Sequence, residues 1–502
     1  MNIKRAKEEI KNTVKAYLAK DEYGNYRIPN LRQRPILLIG PPGIGKTQIM
    51  EQVAGECKVA LVAYTITHHT RQSAVGLPFI QKKVYDGREY SVTEYTMSEI
   101  IASVYDKIEL TGLKEGILFI DEINCVSETL APTMLQFLQY KSFGNKKIPE
   151  GWIIITAGNP PEYNRSVRDF DTVTLDRVRK IDIEPDLASW REYAYKQGIH
   201  GSIISYLDIR KENFYRAETT PDGTFFVTAR GWEDLSEMII TCENLNIPVT
   251  EDLVIQYIQY NSIARDFANY YELYNKYKQI YSVKEILKGN ITQNAIAKIG
   301  RAPFDEKLNV IGLLLSSLND KFKVVYQMDL YVERLFNCLK EWKQQIFESE
   351  AGVPEVLLKN LMEVEEGKLT WLKESGQSTK TDIIVSNRIG GSLKRYAEEL
   401  NNKMVKEPER AFEVIKSLFD EETGRHKELI TETGNALEYV FEFMETAFGE
   451  SQEMVFFVTE LTVNFYSSKF IGEYGSEMYT KYNRSLLFEE RHMDIMEEIS
   501  KL

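Results

Sequence analysis

The stretch that most constrains this chain is Pro35–Thr47, which reads Pro-Ile-Leu-Leu-Ile-Gly-Pro-Pro-Gly-Ile-Gly-Lys-Thr. The apolar run Ile36 to Ile39 predicts a buried strand, and an amphipathic segment from Lys46-Thr47-Gln48-Ile49 predicts a helix. Between them lies a break at Gly40-Pro41-Pro42-Gly43-Ile44-Gly45. This is the G-x-x-x-x-G-K-[ST] pattern in a strand–loop–helix setting. Glycines let backbone N–H groups turn inward with no Cβ in the way, so they can surround a polyphosphate. The following helix presents its unsatisfied N–H groups and positive dipole end to the same anion. Residues Gly40, Pro41, Pro42, Gly43, Ile44, Gly45, Lys46, Thr47 and Gln48 are therefore the expected nucleotide contacts. Lys46 is expected to reach the β- and γ-phosphates and the Thr47 hydroxyl to ligate Mg²⁺. An ordinary Gly/Pro turn is the competing reading, and the full pattern in this setting leaves it little room.

A second element supports the first. Gly116 to Ile120 predicts another buried strand, ending in Asp121-Glu122-Ile123-Asn124. Exposed acids at strand ends are common, but an acidic pair in this position after a phosphate loop has a specific use. Asp121 is expected to hold the hydration shell of Mg²⁺, and Glu122 to polarise an attacking water. Trp152 to Ala157 predicts a fourth strand, closing in Gly158-Asn159-Pro160-Pro161. Asn159 stands where a polar side chain off an adjacent strand could orient that water or the γ-phosphate. Val59 to Thr65 and the run from Arg177 to Ile183 supply two more strands, and Pro185 ends the α/β region.

The remaining features are weighed against bland alternatives. His68-His69 has no Glu-x-x-His spacing or carboxylate cluster, so a structural role is preferred to a metal site. Asp86-Gly87 between the β-prone runs Phe79–Tyr85 and Arg88–Thr93 predicts a hairpin insert. From Asp186 onward the pattern becomes helical, with Asp186 as a cap and further helices from Gly201, Gly231, Thr250 and Ser262. Arg230 stands at a helix start, where a cation is unfavourable unless an anion compensates it, which suits a phosphate role. Residues 300–502 read as predominantly helical and polar, with Lys373 to Asp382 as a flexible break and Met454 to Tyr466 open between helix and strand. The end of the chain places Phe488, Ile495, Ile499 and Leu502 on one helical face.

Composition narrows the function classes. A formal net charge of −13 disfavours non-specific nucleic-acid binding, which is driven by Lys and Arg on phosphates. Cys57, Cys125, Cys242 and Cys338 are scattered without a C-x-x-C pair, as expected of free thiols in a reducing compartment. No charged-then-apolar leader opens the chain and no apolar run approaches a membrane span, so a cytoplasmic location is expected.

Together the phosphate loop, Asp121-Glu122, Asn159 and the arginines Arg177 and Arg230 resemble an AAA+ ATPase, within that superfamily the MoxR-like branch grouped with dynein-related AAA domains. The resemblance covers about residues 30–285. Leu175-Asp176-Arg177 is similar to the family's Leu-Asp-Arg box, whose arginine reaches the neighbouring subunit's site. Thr228-Ala229-Arg230-Gly231-Trp232 is similar to its second sensor, with Ala229 in place of the usual proline. Val178 stands where the family has Phe, and Arg179 follows closely, so Arg179 competes with Arg177 as the finger. The hairpin at Phe79–Thr93 is similar to the family's helix-2 insert, which faces the ring pore.

The resemblance implies an α/β fold with a five-stranded parallel sheet and a helical lid, followed here by a mainly helical C-terminal domain. The expected divisions are 1–185, 186–290 and 291–502. It further implies ATP and Mg²⁺ as ligands and a homo-oligomeric, hexameric ring with Glu122, Asn159, Arg177 and Arg230 as catalytic residues. A von Willebrand factor A-domain partner and chaperone-like remodelling of a protein client are carried by the family alone. A nucleic-acid translocase and a nucleotide-gated scaffold with little turnover are the competing functions. The acidic balance argues against the first, and the intact Glu122 and Asn159 against the second.

Overall fold

A computed structural model describes residues 1–68, 70–143, 146–163, 167, 170–221, 223–348 and 353–484. The chain falls into two compact units, Met1–Ser189 with Gly367–Thr379, and Trp190–Glu366 with Lys380–Leu502.

The first unit opens with α1 (Ile3–Leu18), capped by Asn2, whose side chain accepts from the Arg5 N–H. Its apolar stripe, Ala6, Ile10 and Val14, is buried. Then come β1 (Ile36–Ile39), α2 (Lys46–Cys57), β2 (Ala60–Thr65) and the short α3 (Arg71–Val75). An antiparallel hairpin, β3 (Pro78–Tyr85) and β4 (Arg88–Tyr95), turns at Asp86-Gly87 as the sequence predicts. The chain continues through α4 (Glu99–Thr111), β5 (Gly116–Asp121) and α5 (Ala131–Tyr140). After the two-residue strands β6 (Ser142–Phe143) and β7 (Lys146–Lys147) come β8 (Trp152–Gly158), α6 (Thr172–Arg177) and β9 (Arg179–Asp182).

Five of these strands form one parallel sheet in the order β2-β5-β8-β1-β9. The expected α/β fold with a parallel five-stranded sheet is present. Strands covered on both faces read as continuous apolar runs rather than alternating ones. Ile117 to Ile120 and Ile153 to Ile155 are fully buried for this reason. One boundary differs from the sequence reading: Arg177 closes helix α6 instead of opening the fifth strand. Asp171 caps that helix by accepting from the Thr174 N–H, so the turn continues to Arg177 and pairing with β1 begins at Arg179.

Residues 367–379 belong to this first unit. Trp371 Nε1 donates to the Thr111 carbonyl at 3.1 Å, and Gln377 Nε2 donates to the Val59 carbonyl at 3.2 Å. The Lys107 ammonium donates to the Glu374 carbonyl. A flexible break was expected over Lys373–Asp382; the chain instead makes a fastened turn. Gly376 has φ 77°, and the N–H groups of Gln377 and Ser378 both donate to the Leu372 carbonyl.

The second unit is mainly helical. It contains α7 (Leu187–Gln197), most of which lies here, and α8 (Gly201–Ile209). The pair β10 (Arg216–Thr220) and β11 (Gly223–Val227) follows, a hairpin that the helical reading after Asp186 passed over. Helices α9 (Ala229–Leu245), α10 (Glu251–Tyr257), α11 (Asn261–Ile280), α12 (Val283–Ile286) and α13 (Gln293–Gly300) come next. The unit is completed by α14 (Phe304–Glu348), α15 (Pro354–Ser375, whose last turns join the first unit), α16 (Lys380–Asn402), α17 (Pro408–Phe448), α18 (Gln452–Val463) and α19 (Phe465–Tyr474). The 45 residues of α14 and 41 of α17 are its spine, packed around Phe322, Phe441 and Phe457. Met454–Tyr466, ambiguous in sequence, is helical on both sides of Asn464, whose side chain caps α19. The terminal apolar face at Phe488, Ile495, Ile499 and Leu502 lies outside the described residues. Among the described residues no helix is long and apolar enough to cross a membrane.

Candidate functional site

Because the five strands are parallel, the C-terminal ends of β1, β8 and β5 lie side by side along one edge of the sheet. Each ends in polar chemistry: the glycine loop after β1, Asn159 after β8, and Asp121-Glu122 at the end of β5. Open parallel sheets bind ligands at this edge.

The loop itself is shaped by two glycines. Gly43 and Gly45 have φ of 72° and 90°, a region that L side chains rarely enter. Gly45 caps α2, and its carbonyl accepts from the Ile49 N–H at 3.1 Å. Gln48 lies one turn further on, with its Oε1 facing Gly45. Pro41 and Pro42 enter the bend, and Ile44 is buried beneath it. The Lys46 ammonium is almost fully buried and donates to the carbonyls of Gly40 (2.7 Å) and Pro41 (2.9 Å) and to Asn159 Oδ1 (2.8 Å). The lysine therefore rests on the rim of its own loop and on the neighbouring strand end.

Thr47 Oγ1 donates to Asp121 Oδ2 at 3.1 Å. Hydroxyl and carboxylate oxygens are hard ligands, and Mg²⁺ is held by one or two such protein groups together with phosphate oxygens and water. The pair fits that ion. Among the described residues no group of three or more His, Cys, Asp or Glu side chains gathers as a self-sufficient metal site. Of the His68-His69 pair, His69 and the His68 side chain lie outside the described residues.

Glu122 has φ 58°, left-handed for a non-glycine residue, a conformation that costs of order 1–3 kcal/mol and concentrates at functional sites. Its own N–H donates to Asp121 Oδ1 at 2.8 Å, and its Oε2 accepts from Thr67 Oγ1 at 2.7 Å. Thr67 was not foreseen. The register explains the contact: Thr65 pairs with Asp121 at the ends of β2 and β5, which brings Thr67, two residues beyond β2, near Glu122, the first residue beyond β5. Asn124, also given no role by the sequence reading, donates from Nδ2 to the Asn159 carbonyl at 2.7 Å. Cys125 next to it is half-buried; that burial, with Glu122 and Asp121 nearby, pushes its thiol up. None of the four cysteines forms a disulfide bond among the described residues.

The arginines are placed differently. Arg177 is exposed at the end of α6, and its side chain makes no hydrogen bond among the described residues. Arg179 is tied to α1 of its own chain, with Nη1 donating to Thr13 Oγ1 at 2.6 Å and Nη2 lying 3.5 Å from Glu9 Oε2. Arg230 is the second residue of α9 in the second unit, exposed, behind a Thr228 cap that accepts from the Gly231 N–H. Lys46, Thr47, Asp121, Glu122 and Asn159 are thus brought together in one unit, and Arg177 and Arg230 are not part of that cluster's hydrogen bonding.

A phosphate loop after an interior strand (β1) of a parallel five-stranded sheet, with an acidic pair at the end of β5 two strands away, defines the class of P-loop nucleotide-binding folds. Residues 36–174 match the model of the ATPase family associated with various cellular activities (AAA), so the first unit carries an AAA-family ATPase domain. A solved structure from Cytophaga hutchinsonii, described provisionally as an ATPase, is similar at 17% identity with a TM-score of 0.22. That match covers 36% of this chain and 51% of the other, so the chain spans about half the length of its structural neighbour. Comparison with curated proteins gives no match.

Proposed function

We propose that this chain is a MoxR-like AAA+ ATPase that hydrolyses ATP at the subunit interfaces of a homo-oligomeric, hexameric ring and uses the cycle to remodel or activate a protein client. One observation carries the reading: the hydrogen-bonded meeting of Lys46 with Asn159 and of Thr47 with Asp121 at adjoining strand ends.

In this reading the loop N–H groups and the α2 N-terminus hold the phosphates. The Lys46 ammonium exchanges the Gly40 and Pro41 carbonyls for phosphate oxygens, which are stronger, charge-assisted acceptors. Thr47 and Asp121 would hold Mg²⁺, which supplies neutralisation of phosphate charge. Glu122 accepts a proton from the attacking water, and Asn159 donates from its amide to the water or to the γ-phosphate. Among the described residues the Glu122 side chain is held by the Thr67 hydroxyl, and it must leave or share that bond to act as the base.

Arg177 acts in trans on the charge building at the γ-phosphate, and Arg230 contacts phosphate from the helical lid. Support for Arg177 over Arg179 comes from their surroundings, since the latter is engaged with Thr13 and Glu9 of its own chain. A von Willebrand factor A-domain partner belongs to the same proposal by family resemblance.

Subunit mixing tests it. Glu122→Gln and Arg177→Ala proteins are each expected to be inactive alone. Mixed, they rebuild some interfaces with an intact base on one side and an intact arginine on the other, so phosphate release returns. Absence of any recovery, with both variants folded and assembled, would count against hydrolysis at shared interfaces.

A further inference from the structure

Asn124 is 5% exposed and lies in the single 3₁₀ turn Ile123–Cys125 that follows Glu122. Its Nδ2 donates to the Asn159 carbonyl at 2.7 Å, while its Oδ1 is buried and has no hydrogen-bond partner among the described residues. An acceptor left unpaired in the interior is unfavourable, and an apolar side chain of similar size would avoid it. The carbonyl partner also fixes which way the amide points, since the flipped amide would set oxygen against oxygen.

The neighbouring strand makes room for this side chain. A Cβ built on Gly158 would lie 2.4 Å from Asn124 Oδ1 and 2.7 Å from its Cγ, and the φ of Gly158 is not in the left-handed region. This glycine is therefore required by space and not by backbone conformation. β8 ends at Gly158, paired to Ile39 of β1, and the sheet pairing does not extend to Asn159. Beyond that point the Asn124 amide holds the backbone of the residue whose side chain takes the Lys46 ammonium.

We infer that Asn124, seated against Gly158, is a positioning residue that sets Asn159 relative to Lys46 and the Asp121-Glu122 turn. The inference rests on the ATPase reading for its catalytic consequence but on hydrogen bonding and packing alone for its structural one. It links the acidic strand end to the strand end carrying Asn159, so a change at either is felt at the other.

Three proteins test it: Asn124→Ala, Gly158→Ala and the double variant. Positioning losses of this kind reach on the order of 10²-fold. The expected result is a fall of kcat of that order in each single variant, with affinity for Mg-ADP and melting temperature close to wild type. The double variant should be no worse than either single one, because the added methyl meets nothing once Asn124 is truncated. Unchanged kcat in Asn124→Ala, a parallel loss of Mg-ADP affinity and melting temperature, or multiplying effects in the double variant would each overturn the inference. If wild-type protein shows no turnover, the ATPase reading fails separately. The crystal structure of Asn124→Ala then decides the positioning claim: Asn159 Oδ1 displaced from the Lys46 ammonium upholds it, and an unmoved Asn159 overturns it.

Discussion

The Lys46 ammonium donates to Asn159 Oδ1 at 2.8 Å, joining the loop after β1 to the loop after β8. The two residues are 113 apart in sequence and are neighbours only because β8 pairs with β1. Replacing each should separate binding from chemistry. Lys46→Ala removes charge-assisted bonds to phosphate worth about 3 kcal/mol together, so Mg-ADP affinity should fall about 100-fold. Asn159→Ala should leave that affinity nearly unchanged and reduce kcat instead. Calorimetry with Mg-ADP and a phosphate-release assay on both proteins check this.

In the proposed ATPase Glu122 is the base, and Thr67 Oγ1 donates to its carboxylate. Glu122→Gln keeps the shape but loses the proton acceptor, so kcat should drop on the order of 10²–10⁴-fold while ATP remains bound. Thr67→Val removes one hydrogen bond to a charged group, and a smaller loss of about tenfold is expected. Equal losses in the two proteins would show that Thr67 does more than hold the carboxylate.

Arg177 and Arg179 should behave as opposites. Arg177→Ala is expected to lose on the order of 10³-fold in turnover with little change in melting temperature. Arg179→Ala loses its bond to Thr13 and a partly exposed pairing with Glu9, roughly 1 kcal/mol of stability, and keeps its turnover. Thermal unfolding and steady-state ATPase measurements on the two variants distinguish them.

Lys141 predicts a pH dependence. It is buried, donates to Asn30 Oδ1 at 2.6 Å and Gln33 Oε1 at 3.2 Å, and has no carboxylate partner among the described residues. Burial brings its ammonium down from the ordinary 10.5 to about 8. Below about pH 8 both folded and unfolded chains hold the proton, so the cost of burying the charge is present in full. From there to pH 10.5 the folded chain has released a proton that the unfolded chain still binds, so this group's contribution to stability rises with pH. The gain is about 3 kcal/mol at most. Unfolding measured at both ends of that window should show the rise in wild type and a smaller one in Lys141→Met; equal slopes would refute it.

Local patterning was enough for much of this molecule. The runs at Ile36, Gly116 and Trp152 become β1, β5 and β8, and Asp86-Gly87 becomes the β3–β4 turn, because a buried apolar run and a turn dipeptide need only short-range information. Local and distant contacts both escaped the reading. Arg177 ends a short helix that a local Asp171 cap starts, whereas the turn near Gly376 is fastened by Val59 and Thr111, hundreds of residues away. The β10–β11 pair was passed over although Asp222-Gly223 between β-prone runs is the same turn signal recognised at Asp86-Gly87.

By itself the sequence determined the strand–loop–helix at residues 36–57 and the acidic strand end at Asp121-Glu122, since phosphate binding by backbone N–H groups needs glycines at fixed offsets along one segment. Only the tertiary structure decided who meets whom. Thr67 reaches Glu122 through the β2–β5 register, Asn124 reaches Asn159 through the space left by Gly158, and Arg179 is tied to Thr13 of α1. Hydrogen bonds have a reach of about 3 Å, and strand order, register and packing together set which side chains come that close.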